Sequence, residues 1–97
     1  MEIRWLRKAL QNLDSEATYI AKDDPAAAQM VVQRIHDAVG LLSENLALGH
    51  PGRIDGTREL VVPDTRYIVP YRVTPRLSRV EILRVFHTSR KLPEGWS

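Results

Sequence analysis

Asp23-Asp24-Pro25-Ala26-Ala27-Ala28, near the middle of the N-terminal half, decides how the first fifty residues fold. Asp24 can accept from a first-turn N–H, and Pro25 suits the first helical position, where a missing donor costs nothing. A helix therefore restarts here. Downstream, Ala28, Val31, Ile35, Ala38, Leu42 and Leu46 share one face, and Gly49 followed by Pro51 supplies a stop. Upstream, Leu6, Leu10, Leu13, Ala17 and Ile20 recur in steps of three and four, with Arg7, Lys8, Gln11, Asp14 and Ser15 between them. That is a second amphipathic helix, ending near Lys22. A three-residue polar connection between two such helices makes an antiparallel hairpin.

Outward from the hairpin the period changes. Glu2 to Trp5 reads as a short strand ahead of it. After the turn-rich stretch from Gly52 to Gly56 come strand candidates at Arg58–Val62, Tyr67–Val73 and Arg79–Phe86, separated by Pro63-Asp64 and by Pro75–Ser78. Apolar residues on both sides of the last (Val80, Ile82 and Phe86; Leu83 and Val85) mark a central strand. Pro70 removes a ladder donor from the middle one and calls for an outward-facing N–H or a bulge. The expected fold is α+β, in the order β-α-α-β-β-β, with the hairpin packed on a small antiparallel sheet. All 97 residues form one domain.

Composition narrows the chemistry. Without cysteine there is no disulfide, thiol nucleophile or Cys-ligated zinc. The charged start and the short apolar runs speak against a signal peptide or a membrane span, so the expected location is cytoplasmic. Residues 1–49 hold five Lys/Arg against seven Asp/Glu, whereas residues 50–97 hold nine against five. Eleven of the fourteen basic residues are Arg, the side chain suited to bidentate contact with phosphate or carboxylate. An anionic partner, nucleic acid or acidic peptide, is the expectation.

Three segments resemble the ParE/RelE toxin superfamily: the hairpin whose second helix opens with Asp24-Pro25, the run Gly49-His-Pro-Gly-Arg-Ile-Asp-Gly-Thr-Arg-Glu-Leu-Val-Val62, and Tyr67-Ile-Val-Pro-Tyr-Arg-Val73 followed by Val80-Glu-Ile-Leu-Arg-Val-Phe-His87. The resemblance spans Ile3 to about Arg90 and is closer to the ParE-like side. It implies the toxin half of a type II toxin–antitoxin pair, held in a heteromeric complex by an antitoxin lying across the hairpin and the neighbouring sheet. For ParE-like members it implies DNA gyrase as target, and for RelE-like members cleavage of messenger RNA on the ribosome.

A metal-free ribonuclease needs an acid, a base and cations at the phosphate. His87 is the natural acid or base, Asp55 or Glu59 the carboxylate base, and Arg66, Arg84 and Arg90 the cations. By resemblance, Arg66 stands where RelE-like toxins bind phosphate. However, Thr88 stands where some ribosome-dependent relatives have Tyr, and the Lys-rich segment of that group reduces to Arg53. His36 and His50 have no partners at metal-ligand spacing, so neither a metal nor a cofactor is expected. A stand-alone RNA-binding module lacks support, since no RNP-type aromatic pair or GXXG loop is present. For partner binding the candidates are Val32 and Val39 off the main helical stripe, Arg53, Arg58, Arg66, Arg72, Arg84 and Arg90 of the sheet half, and Trp96 in the tail. Val32 and Val39 could instead widen the core stripe, and Trp96 could pack back on the domain.

Overall fold

A computed structural model describes residues 1–96. The chain runs β1 (Glu2–Trp5), α1 (Arg7–Ala21), α2 (Pro25–Gly40), β2 (His50–Pro51), β3 (Arg58–Val61), β4 (Tyr67–Thr74), β5 (Arg79–Ile82) and β6 (Phe86–His87). Both helices lie on one face of the sheet. The sheet order is β1-β5-β4-β3-β2, with β6 also paired to β4. The core fills the space between the layers. Ala9 and Leu13 come from α1, and Ile35, Ala38, Val39 and Leu42 from α2 and the turn after it. Leu60, Val62, Tyr67, Val69, Tyr71, Val80, Ile82 and Val85 come from the sheet half.

The hairpin forms as expected. The Asp24 carboxylate accepts from the Ala27 N–H at 3.0 Å, and Pro25 opens α2. Within the hairpin, two details differ from the sequence expectation. Leu10 lies on the solvent side, 49% exposed, while Ala9 is fully buried. α2 stops at Gly40 rather than Gly49, and a single tighter turn, Leu41–Ser43, follows. Leu42 in that turn is still fully buried, so the apolar rhythm outlasts the helix.

Gly49 is therefore no helix cap. A Cβ there would sit 2.7 Å from both the Glu59 carbonyl oxygen and Tyr71 Cε1, so only glycine fits. The Tyr71 hydroxyl accepts from the Gly49 N–H at 2.9 Å and donates to the Leu46 carbonyl at 2.8 Å, tying this loop to the sheet.

The sheet is mixed, not antiparallel. β1 runs parallel to β5, from Glu2 beside Arg79 to Trp5 beside Ile82. The sequence contains no signal for this, because strand direction is set by where the hairpin returns the chain. β2, unexpected from the sequence, adds a two-residue edge beside β3. The expected strand Arg79–Phe86 is interrupted. Tyr71 faces Ile82 and Ile68 faces Phe86, so the two residues between them on β4 oppose three, Leu83 to Val85, on the other side. This is a one-residue bulge beside Pro70. The Pro70 carbonyl accepts from the Leu83 N–H at 2.9 Å, so its missing donor also faces the bulge, where no ladder bond is needed. The Val85 N–H freed by the bulge donates to Oδ1 of Asn12 on α1.

Candidate functional site

Alternation along β4 sorts the candidate residues onto two faces. Tyr67, Val69 and Tyr71 face the helices, and Ile68, Pro70 and Arg72 face the other side. Three surface regions result.

The first is a groove of about 520 Å³ beside the open face of the sheet, lined by Arg7 and Lys8 at the start of α1, by Asp55 and Thr57, and by Arg72, Arg84 and Trp96. Arg72 Nε donates to Glu81 at 2.7 Å, and the Thr74 hydroxyl donates to the same carboxylate at 3.1 Å. The Arg72 hydrogen bond holds the buried Glu81 carboxyl below the usual carboxylate range. Arg84 lies over the Phe86 ring, 5.6 Å from its centroid, and donates to the Trp96 carbonyl. Trp96 packs back against Phe86 with ring centroids 6.0 Å apart, so the tail folds onto the sheet.

The second region is the rim where α1 meets the end of β4. Tyr67 donates to Glu16 at 2.8 Å, and Arg90 pairs with the other carboxylate oxygen of Glu16 and covers the Tyr19 ring at 5.0 Å. Burial, followed by the bond to Glu16, pushes the Tyr67 phenol well above its ordinary range. The His87 ring stands edge-on to Tyr67 with centroids 5.1 Å apart, and its Nδ1 accepts from the Ser89 N–H at 3.1 Å.

A third region lies between α2 and the edge of the sheet. This is a groove of about 530 Å³ whose walls include Arg34, Leu41, Leu48, Leu60, Val61 and Asp64. Leu41, Leu48 and Val61 are all large exposed apolar residues. Leu60 and Arg58 face their β4 partners in the ladder, so the alternating Val61 backbone points outward past the end of the two-residue β2.

The nuclease set proposed from sequence is divided by the sheet, apart from Arg90, which stays on the His87 side and is paired with Glu16. His87, paired across the ladder with Tyr67, belongs to the helix side. Arg84 and Asp55 belong to the opposite groove. Arg66 is exposed in the turn before β4. Glu59 is no free base, because Arg53 clasps it through Nε at 2.9 Å, Nη2 at 3.2 Å and its backbone N–H at 3.0 Å. Burial raises the Glu59 pKa, but these bonds outweigh it and hold the carboxyl below its ordinary value.

Among the partner-binding candidates, Val39 is a correction. It is 2% exposed and belongs to the core, because the contact between α2 and the sheet is wider than a single stripe. Val32 is half-buried in a shallow groove between the helices, with Ala17, Ala21 and Ala28. Arg58 is committed to the Gly49 carbonyl through Nε at 3.0 Å. Among the described residues no group of His, Cys, Asp and Glu is arranged to hold a metal, and none of the helices is long and apolar enough to cross a membrane.

Arg7, Lys8, Glu16 and Tyr67 line or brace these candidate regions, and the sequence reading passed over them. Adjacent cations in the first turn of a helix, where acidic residues are favoured, were the available signal for the first two.

Two helices on one face of a mixed sheet that begins with an N-terminal strand match ParE and RelE structures. A chain of the chromosomal ParDE system from P. aeruginosa superposes with a TM-score of 0.79 at 30% identity, over 90% of this chain and 95% of that one. The RelBE2 toxin–antitoxin complex from Mycobacterium tuberculosis is more distant, with a TM-score of 0.58 at 29% identity over 92% of each chain. In sequence, the Sinorhizobium fredii protein named "Putative toxin Y4kP" is 51% identical over 92 residues, covering 95% of this chain and 93% of that protein. The family model for the ParE toxin of the type II toxin-antitoxin system parDE matches residues 3–92. The chain belongs to this ParE toxin family.

Proposed function

We propose that this ParE-family toxin arrests growth by binding DNA gyrase, and that a cognate antitoxin neutralises it in the cytoplasm. The observation that carries the binding reading is the separation of His87 from Arg84 and Asp55 by the sheet, with His87 Nδ1 already engaged by Ser89. Proton transfer to or from a phosphodiester requires acid, base and cations within hydrogen-bond reach of one phosphate. Beside His87 stand Tyr67, Glu16 and Arg90, but these are bonded to one another, while Arg84 and Asp55 lie across the sheet. The higher structural similarity to the ParDE chain than to the RelBE2 chain supports the same side of the superfamily.

Neutralisation has two surfaces suited to a folding-on-binding tail: the inter-helix groove at Val32 and the α2–β3 groove at Leu41, Leu48 and Val61. The test is induced expression of the chain alone in bacteria, scoring growth, message integrity and the DNA-damage response, paired with gyrase supercoiling by the purified protein. Arrest with intact messages, a damage response and inhibited supercoiling is the expected result. Arrest with cleaved messages and unaffected gyrase would establish the ribosome-dependent endonuclease instead.

A further inference from the structure

The groove beside the open face is lined by four cations, Arg7, Lys8, Arg72 and Arg84, with Asp55 the one carboxylate on its walls and Glu81 already paired with Arg72. Arg72 and Arg84 are held in place, the first by Glu81 and the second by the Phe86 ring and the Trp96 carbonyl. Arg7 and Lys8 are both exposed, and their side chains make no hydrogen bond or ion pair among the described residues. They also stand where the fold disfavours them. α1 has no side-chain cap and no acidic residue in its first turn, so both positive charges meet the positive end of the helix dipole. Their placement gains the domain nothing internally, which leaves an external anion as what they serve.

We infer that this groove holds a phosphodiester strand, bound through its phosphates and left uncleaved. Guanidinium groups fixed by their neighbours meet phosphate oxygens at low entropic cost. The half-buried Trp96 at the groove wall adds an aromatic surface for a base, which an acidic peptide would not use. His87 belongs to the helix side and no histidine is among the described residues lining this groove, so the groove binds without supplying an imidazole acid or base. The inference goes beyond the toxin's protein target and does not depend on it, because it concerns the purified chain and nucleic acid alone.

Fluorescence anisotropy with labelled single-stranded DNA and RNA oligonucleotides of about 12 nucleotides, from about 50 to about 300 mM NaCl, tests it. Expected is salt-dependent binding in which Arg7→Ser/Lys8→Ser weakens affinity roughly tenfold and flattens the log–log salt slope by about 1.4, about 0.7 for each lost phosphate contact. Lys22→Ser, which removes a cation beyond the far end of α1, leaves binding unchanged. The double variant keeps its thermal midpoint, since it removes charges the helix disfavours. A preference between the two oligonucleotides identifies the source of the phosphodiester. Three results overturn the inference: no binding at the lowest salt, the same loss in Lys22→Ser as in the double variant, or displacement of the oligonucleotide by polyglutamate at equal charge.

Discussion

The Val85 N–H and the Asn12 side chain, 73 positions apart, meet at 3.2 Å and join α1 to the bulge of the sheet. Val85 is 2% exposed, so its N–H has no access to solvent. The bulge beside Pro70 is thus sustained by a side chain from another layer, and the sheet bends where the helix can complete it.

Asn12→Ala strands that donor. The expected cost is about 1–3 kcal/mol, a drop in thermal midpoint of roughly 5–20 °C for a domain of this size. Differential scanning calorimetry checks it, and a midpoint within a degree of wild type would show that the N–H finds another acceptor.

Gly49→Ala places a methyl group against the Glu59 carbonyl and the Tyr71 ring. Backbone on one side and a core ring on the other leave little room to give, so a loss of about 1–3 kcal/mol is expected from urea unfolding. Gly40→Ala is the contrast, because a Cβ there meets nothing within 4 Å. In its helical setting it should be neutral or stabilising.

Acid should weaken the domain through Glu59 and Glu81, both held below their ordinary pKa values in the fold. The unfolded chain then binds protons first as pH falls. Their contribution is fully present above the ordinary carboxylate value of 4.5 and is lost as pH drops through the lower folded values. Thermal midpoints measured from about pH 6 down to about pH 3 should fall less steeply in Glu59→Gln than in wild type. Parallel curves would mean that the Arg53 contact does not persist in solution.

Val39 and Val32 should separate stability from recognition. Val39→Ala opens the core and is expected to cost about 1–3 kcal/mol in urea unfolding. Val32→Ser, at the half-buried inter-helix groove, should cost less and instead weaken antitoxin binding several-fold by titration calorimetry. Unchanged antitoxin affinity would remove that groove from the interface.

His87→Ala should leave growth arrest on induction largely intact, because the ring stands edge-on to Tyr67 and accepts from the Ser89 N–H rather than facing the basic groove. Complete loss of toxicity in a variant with an unchanged melting curve would return His87 to a direct role.

Local patterns were sufficient for the α+β class, for the helix restart at Asp24-Pro25 and for a disturbance at Pro70. Capping, missing donors and apolar periodicity all act within a few residues. The boundary errors share one cause. Leu42 and Leu46 continue the rhythm of α2 beyond its end, and the run Leu83-Arg84-Val85-Phe86 continues that of β5 without registering an extra residue. Neither pattern contains the partner strand. Which residues form a site was still less legible. Arg53 looks available until it closes on Glu59, Val39 looks like surface until α2 seats on the sheet, and His87 and Arg84 look like neighbours until the sheet comes between them. By itself the sequence determined the helical hairpin, the order of the principal strands around it and the Arg-rich character of the second half. The tertiary structure alone decided that β1 runs parallel to β5, that Arg7 and Lys8 share a groove with Arg72 and Arg84, and which cations are already neutralised. Local conformation follows from forces between near neighbours in the chain, whereas pairing direction, burial and charge compensation depend on residues brought together from far apart.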